Sequence, residues 1–236
     1  MRLDKFISNT GVLSRSQCAK ECRAGNITCD GAAIRDPSAN IDPEKNVIAY
    51  KGEIISYSEY VYIMMNKPLG YVCSNDEPGE LLVFDLLGEK YAKFDLFTVG
   101  RLDKNTGGLI LITNDGKAAH NALSPKHHVE KKYEFELADP LSEQDREALE
   151  KGAELADGYV TKPCRIEMKT KTQGVIILSE GKYHQIRRMF ASVNNKVTAL
   201  TRTEFGGILL DKTLDAGQWR ELSDKETQLF VNPGKN

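Results

Sequence analysis

The sequence predicts an α+β fold in two parts. A small N-terminal unit covers residues 1–58, and a mixed, mainly antiparallel β-sheet with flanking helices covers residues 60–236. Three observations carry this reading. Strand-like runs outnumber helical ones and do not alternate strictly with them, which argues against a doubly wound sheet. The pattern changes near Tyr60, from short runs broken by turn residues to longer apolar runs. The 236 residues, 40% hydrophobic and 28% charged, are also enough for one large or two modest cores.

The elements follow in order. Ser14 is placed to cap a short helix running to Arg23 or Ala24, stopped by Gly25. Asn26 to Cys29 reads as a strand ending in an Asp30-Gly31 hairpin turn. Asp36 to Asn40 has turn chemistry, and Lys45 to Tyr50 reads as a further strand. A unit this small is marginal alone, so a loose tether to the rest is expected. Beyond it, strands are expected at Tyr62 to Met65, Leu109 to Thr113, Lys132 to Leu137, Cys164 to Lys169 and Val175 to Leu178. Ser142 to Lys151 reads as an amphipathic helix opened by Ser142 and Asp145, and Ser223 to Leu229 repeats the device with Glu226. Another helix is expected to begin near Tyr183 and to include Gln185 to Phe190.

Several classes are excluded early. No apolar stretch approaches the ~20 residues of a membrane-spanning helix, and Asp4 stands where a secretory leader would begin its apolar core. Five cysteines (Cys18, Cys22, Cys29, Cys73, Cys164) form an odd set without a C-x-x-C pair. Free thiols in a reducing cytoplasm are therefore expected, rather than a disulfide framework or zinc ribbon. The four histidines show no i, i+4 pair, so no metal is expected, and no G-x-G-x-x-G or P-loop suggests a nucleotide cofactor.

The formal net charge of −2 (32 Lys+Arg, 34 Asp+Glu) argues against a protein that coats polyanions by bulk charge. The sum hides its distribution. Val160 to Arg202 holds nine bases against two acids, a local +7, and residues 1–25 hold five against two, a local +3. Asp139 to Asp157 holds seven acids against two bases, a local −5. One basic and one acidic surface is the expected result, as is a polyanionic partner for the basic one.

Two segments carry candidate chemistry. In Gly100-Arg101-Leu102-Asp103-Lys104-Asn105-Thr106-Gly107-Gly108, an Asp flanked by bases sits in a turn leading to a buried strand. A polar β-turn with glycines at positive φ accounts for it. So does a carboxylate kept ionised by nearby cations and offered as a nucleophile. In Glu180-Gly181-Lys182-Tyr183-His184-Gln185-Ile186-Arg187-Arg188-Met189-Phe190, an ordinary basic helix end competes with a guanidinium that pairs with the carboxylate and with phosphate. Asn66-Lys67-Pro68 reads as a strand-to-turn exit, and Tyr133 as a strand aromatic.

Taken together and in this order, Asn66-Lys67-Pro68, Gly100-Arg101-Leu102-Asp103 with Thr106-Gly107-Gly108-Leu109, Lys132-Tyr133, and Glu180 to Met189 resemble the RsuA-type family of ribosomal RNA pseudouridine synthases. Arg2-Leu3-Asp4-Lys5-Phe6 with Ser14-Arg15 resembles an S4 RNA-binding domain. Gly70 to Ser74 and Ser124 to His128 with Lys131-Lys132-Tyr133 are most similar to the member that modifies 16S RNA, known for the uridine at RNA position 516. Large-subunit (23S) synthases of the family, and a non-catalytic S4-type RNA-binding or assembly factor, are the alternatives.

The resemblance implies an S4-like domain at 1–58 and a catalytic domain at 60–236 that isomerises uridine to pseudouridine without metal or other cofactor. It implies Asp103 as catalytic carboxylate, Tyr133 as stacking partner of a flipped base, Arg187 as the partner of Asp103, and Arg101 as filler of the vacated stack. Asn66 and Lys67 are expected to shape the substrate site, and Gly206-Gly207-Ile208 to supply an apolar wall. Lys182, His184, Gln185, Arg188, Arg2 and Arg15 are expected RNA contacts. The partner expected is ribosomal RNA, 16S first, either free or as a small-subunit assembly intermediate, met by a cytoplasmic monomer with no membrane association.

Overall fold

The computed structural model describes every residue except 56–59, 89, 90, 92, 93, 125 and 234–236. The boundary expected between residues 58 and 60 therefore falls mostly outside the described residues, as does Pro125 of the segment from Ser124 to His128. The chain divides into two compact units: Met1–Tyr60 with Glu89–Asp95, and Val61–Gly88 with Leu96–Asn236.

In the first unit, α1 (Leu3–Thr10) and α2 (Arg15–Ala24) precede β1 (Ile27–Cys29), β2 (Ala32–Ala33), β3 (Ile48–Tyr50) and β4 (Glu53–Ile54), which pair in the order β2-β1-β3-β4. Ser14 caps α2 through a reciprocal box with Gln17, and Gly25 ends it at φ 77°. Asp30 and Gly31 both take positive φ, the backbone a two-residue hairpin needs. Leu3, Phe6 and Ile7 pack against Cys18, Cys22, Ile27 and Ile48 in a core without water access. The five cysteines are free thiols, and burial pushes the Cys18 thiol up to about 12. Helix α1 has no side-chain cap at Arg2 and was not legible beforehand.

The second unit is built on a nine-stranded sheet. Its strands are β5 (Tyr62–Lys67), β8 (Phe97–Thr98), β9 (Gly107–Thr113), β10 (Lys131–Leu137), β11 (Arg165–Met168), β12 (Gln173–Leu178), β13 (Val197–Phe205), β14 (Ile208–Leu209) and β15 (Trp219–Glu221). A separate pair is formed by β6 (Tyr71–Val72) and β7 (Leu81–Leu82). The main order is β11-β12-β10-β13-β9-β5-β15, antiparallel throughout except where β13 meets β9. Strand β10 alternates as expected, with Tyr133, Phe135 and Leu137 buried and Glu134 and Glu136 exposed. All seven residues of β9 are buried, as befits a central strand.

Helices flank this sheet: α3 (Gly116–Leu123), α4 (Glu143–Lys151), α5 (Gln185–Ser192) and α6 (Asp224–Val231). Ala118, Ala119 and Ala122 of α3 and Phe230 of α6 join Met64, Leu109, Leu111 and Phe205 in one core. On α5, Ile186, Met189 and Phe190 are buried, and the Phe190 ring lies 4.8 Å from that of Phe135. Ser223 and Glu226 form the expected capping box, and Ser142 accepts from the Asp145 amide. Helix α5 starts at Gln185, not Tyr183, because His184 takes the left-handed conformation at φ 50° and breaks the turn there.

The expected separation into a basic and an acidic surface is only partly realised. Arg188 of the basic stretch pairs with Asp157 of the acidic one at 2.5 Å. Lys169 pairs with Glu134, and Arg165 with Glu167.

Candidate active site

The Asp103 segment leaves β8 and enters β9, and its position is fixed from three sides. From below, Lys67 at the end of β5 is 1% exposed. Its Nζ donates to the carbonyls of Pro68 (3.0 Å), Asp103 (3.2 Å), Lys104 (3.5 Å) and Thr106 (3.0 Å). A buried ammonium with four carbonyl acceptors is a clamp, since moving the loop would strand its charge. Burial lowers the Lys67 pKa, opposed by the neighbouring Cys73 and Asp103. From the side, the Leu102 amide donates to Cys73 Sγ at 3.5 Å and the Gly70 amide to the Lys104 carbonyl at 2.8 Å. From α5, Arg187 reaches over to the Asn105 carbonyl at 2.7 Å.

Gly108 explains why glycine is needed where the loop becomes strand. At φ 94°, a Cβ there would sit 2.2 Å from the Arg202 carbonyl oxygen. The glycine is required by the close parallel approach of β9 to β13, not only by a turn.

The Asp103 carboxylate is 30% exposed and faces a cavity of about 80 Å³. Arg101, Tyr133, Lys182, Gln185 and Arg187 line it with Asp103, over an apolar floor of Leu102, Leu178, Ile186 and Leu200. Tyr133, 8% exposed at the centre of β10, sets the ring in a rigid sheet position. Arg101 is exposed and also lines a second, larger cavity of about 300 Å³ beside the first. Cations and one carboxylate beside an aromatic ring, over apolar side chains, suit a flat polar ligand.

Arg187 does not pair with Asp103, contrary to expectation. Its Nη2 donates to Asn105 and its Nη1 to the Val197 carbonyl at 3.0 Å; among the described residues no ion pair joins it to Asp103. Its fork is taken by two carbonyls, one on the Asp103 loop and one on β13. The base beside Asp103 is instead His184, whose Nε2 lies 3.6 Å from Oδ1. Its ring is stacked on Tyr183 at 3.9 Å, and Tyr183 is 74% exposed.

Other expected contacts are committed to the fold. Asn66 Nδ2 donates to the Leu214 carbonyl at 2.8 Å and Lys67 is fully enclosed; neither lines the cavity that Asp103 faces. Gln185 is buried, accepting from the Lys182 amide and donating to Glu180 Oε1, which stiffens the segment from Glu180 to Gln185. Arg188 faces away, between Asp157 and the Tyr183 carbonyl. Gly206 and Gly207 form the β13–β14 turn, and Ile208 is buried in the α3–α6 core instead of walling either cavity.

In the first unit, Arg2 and Arg15 are exposed at the starts of α1 and α2. Arg2 grips Asp4 with two nitrogens, at 3.0 and 2.7 Å. Its guanidinium holds the Asp4 carboxyl below the usual carboxylate range, with a smaller contribution from Arg15.

Sequence reasoning missed Lys131, Lys162, Tyr159 and Arg202, which line the larger cavity. The +7 stretch contained two of them, but only the fold brings them together.

Comparison with known proteins matches residues 61–192 to the family model described as RNA pseudouridylate synthase and residues 1–47 to the S4 domain. The chain is 42% identical over 233 residues to ribosomal small subunit pseudouridine synthase A of Escherichia coli (strain K12), covering 98% of this chain and 100% of that protein. It is 40% identical to the uncharacterized RNA pseudouridine synthase YtzG of Bacillus subtilis (strain 168), covering 99% of each. The crystal structure of a pseudouridylate synthase superposes with a TM-score of 0.69 at 38% identity, over 98% of this chain and 99% of that one.

Proposed function

Because the chain belongs to the RNA pseudouridylate synthase family, and so isomerises uridine in RNA, we propose that its substrate is 16S ribosomal RNA, at the uridine of position 516, and that Asp103 is its catalytic carboxylate. Supporting the substrate are the small-subunit relative that matches across the full length and the S4 domain ahead of the catalytic unit. The carboxylate assignment rests on one observation: Asp103 is the only Asp or Glu among the residues lining the smaller cavity, which Tyr133 also lines, and Lys67, Cys73 and Arg187 fix its loop.

The reaction breaks the N1–C1′ bond, turns the uracil and rejoins it through C5. A base inside a stack cannot be reached, so it must be flipped out, at a cost of a few kcal/mol. In this reading Arg101, exposed at the rim, fills the gap left in the stack. Tyr133 stacks on the extruded ring, and Asp103 acts on it from the loop. Arg187 is a positioning residue that ties the Asn105 carbonyl to β13. The domains read as an S4-like unit at 1–58 and a catalytic unit at 60–236. In the first, Arg2 and Arg15 add phosphate contacts whose strength falls with salt.

The test is tritium release from small-subunit RNA carrying 5-tritiated uridine, followed by carbodiimide primer extension to map the product. Release by wild type, none by Asp103→Asn, and a stop at the proposed position are expected. A stop on large-subunit RNA alone would overturn the substrate, and release by Asp103→Asn would overturn the catalytic assignment.

A further inference from the structure

The larger cavity shares Arg101, Tyr133, Gly181 and Lys182 with the one that holds Asp103, and extends away from it. Its charge is unbalanced. Arg101, Lys131, Lys162, Lys182 and Arg202 face a single carboxylate, Glu180. That carboxylate is already occupied by neutral donors: Oε2 accepts from the Tyr159 hydroxyl at 2.7 Å, and Oε1 from the Lys162 amide and from Gln185 Nε2.

Two of the cations are drawn into the protein. Arg202 is 2% exposed; its Nε donates to the Leu109 carbonyl at 2.7 Å, while its Nη2 has no partner among the described residues. The guanidinium otherwise lies against aromatic rings, 5.4 Å from the Phe205 centroid and 6.0 Å from that of Tyr133. Among the described residues the Lys131 ammonium makes one hydrogen bond, to the Val129 carbonyl at 3.1 Å, and lies 5.5 Å from the Phe205 centroid. Burial, with Arg202 nearby, brings its ammonium down to about 8.

Burying a guanidinium nitrogen without an acceptor is costly, and a second cation beside it adds to that cost. Packing does not require either charge, because apolar side chains would line the same wall more cheaply. An anion entering the cavity would satisfy both at once. A metal ion is ruled out by the sign of the charge.

On the reading that the first cavity takes the target uridine, we infer that the second is a binding site for one RNA backbone phosphate, the phosphodiester next to that uridine, held by Arg202, Lys131 and Lys162. The geometry makes this a register device. A phosphate seated there fixes which base can reach Tyr133 and Asp103, because the two cavities share a wall.

The experiment measures equilibrium binding of the full chain to a fluorescent small-subunit RNA hairpin. It is repeated with the same hairpin carrying one uncharged methylphosphonate, either 5′ or 3′ of the target uridine. In wild type, neutralising one of these two linkages is expected to weaken binding about tenfold, the scale of one charge-assisted contact. In Lys131→Met the unmodified hairpin should bind about tenfold more weakly, and the same methylphosphonate should then cost nothing further. Its salt slope should drop by about one phosphate. Lys162→Met, at an exposed position, should show the same pattern in weaker form and serves if Lys131→Met does not fold. Lys151→Met, on the acidic helix α4, should bind as wild type does. The inference is overturned if both cavity variants bind the unmodified hairpin with wild-type affinity, or if the methylphosphonate penalties persist undiminished in them. Because binding is read without turnover, the phosphate pattern can hold while tritium release fails, which would refute the proposed substrate and spare the site; the reverse result would do the opposite.

Discussion

Replacing Lys67 by Met tests whether the Asp103 loop is held by a buried cation. The side chain is 1% exposed, and its ammonium donates at 3.0 Å to the carbonyls of Pro68 and Thr106, with longer bonds to Asp103 and Lys104. The Asp103 and Lys104 carbonyls keep second donors, the Thr106 and Gly70 amides. The loss therefore falls mainly on two charge-assisted bonds, each worth about 1.5–3 kcal/mol. Met is of similar length and leaves little void, and it removes an ammonium whose desolvation costs several kcal/mol. The net expectation is destabilisation of about 2 kcal/mol, because neutral carbonyls, not a stranded charge, are left behind. For a unit of this size that lowers Tm by about 4–8 °C. Calorimetry on wild type and Lys67→Met reads the shift, and tritium release on the folded variant below its transition reads the chemistry. A carboxylate displaced by even an ångström is expected to lose at least about tenfold in kcat. A variant that melts with wild type and turns over at its rate would refute the clamp.

The other predictions are more compact. Gly108→Ala places a Cβ 2.2 Å from the Arg202 carbonyl at φ 94°, so soluble yield and urea midpoint should collapse; Gly79→Ala, also at positive φ but in open space, should cost only about 1 kcal/mol. His184→Gly relieves a left-handed backbone, so urea unfolding should show stability unchanged or raised, while kcat falls through loss of the imidazole beside Asp103. Lys131 has a folded pKa of about 8, depressed from its ordinary value by burial and Arg202 and opposed by Glu180. A bound phosphate favours the charged form, so RNA affinity should weaken as pH rises from 7 to 9 in wild type, with a smaller change in Lys131→Met. The same depression means that Lys131 adds stability as pH rises from about 8 toward its unfolded value, so thermal melts of wild type relative to Lys131→Met should improve over that window. Arg2→Ala or Arg15→Ala should raise KM for RNA and leave turnover at saturation intact.

Much of the fold was legible because its signals are local. The alternation of Tyr133, Phe135 and Leu137 marks β10, and the Ser-x-x-Glu and Ser-x-x-Gln boxes mark the starts of α6 and α2. The longest strand, Val197–Phe205, was missed for a reason the site supplies. Its buried positions include Arg202, a residue that breaks the apolar alternation by which strands are recognised. Helix α3 opens on Gly116 and is rich in alanine, so it offered little periodic contrast despite the Asp115 cap. In the site, Asp103, Arg101, Tyr133, Lys182, Gln185 and Arg187 were named from motifs, and all six line one cavity. Their partners were not legible. Nothing in the spacing tells whether the Arg187 fork reaches a carboxylate or two carbonyls 82 and 10 residues away.

Three inward-drawn cations of the second unit differ in one respect that, on the proposed reading, separates scaffold from receptor. Lys67 has all its donors occupied by carbonyls, so its charge is consumed in holding the loop and none remains for a ligand. Arg202 is partly occupied, one nitrogen bonded and one without a partner. Lys131 keeps a single carbonyl acceptor and sits beside Arg202. Lys67 and Arg202 are fully buried, whereas Lys131 is half-buried. Unfilled hydrogen-bonding capacity rises in the same order, from the back of the Asp103 loop toward the larger cavity. That gradient also resolves the net charge of −2, which argued against a polyanion held by bulk electrostatics. Among the described residues, three of the nine bases in the +7 stretch are held in internal ion pairs: Arg165–Glu167, Lys169–Glu134 and Arg188–Asp157. On the proposed reading, what remains for RNA is a small number of placed cations around one carboxylate, an arrangement suited to selecting a single nucleotide and letting the rest of the polymer go.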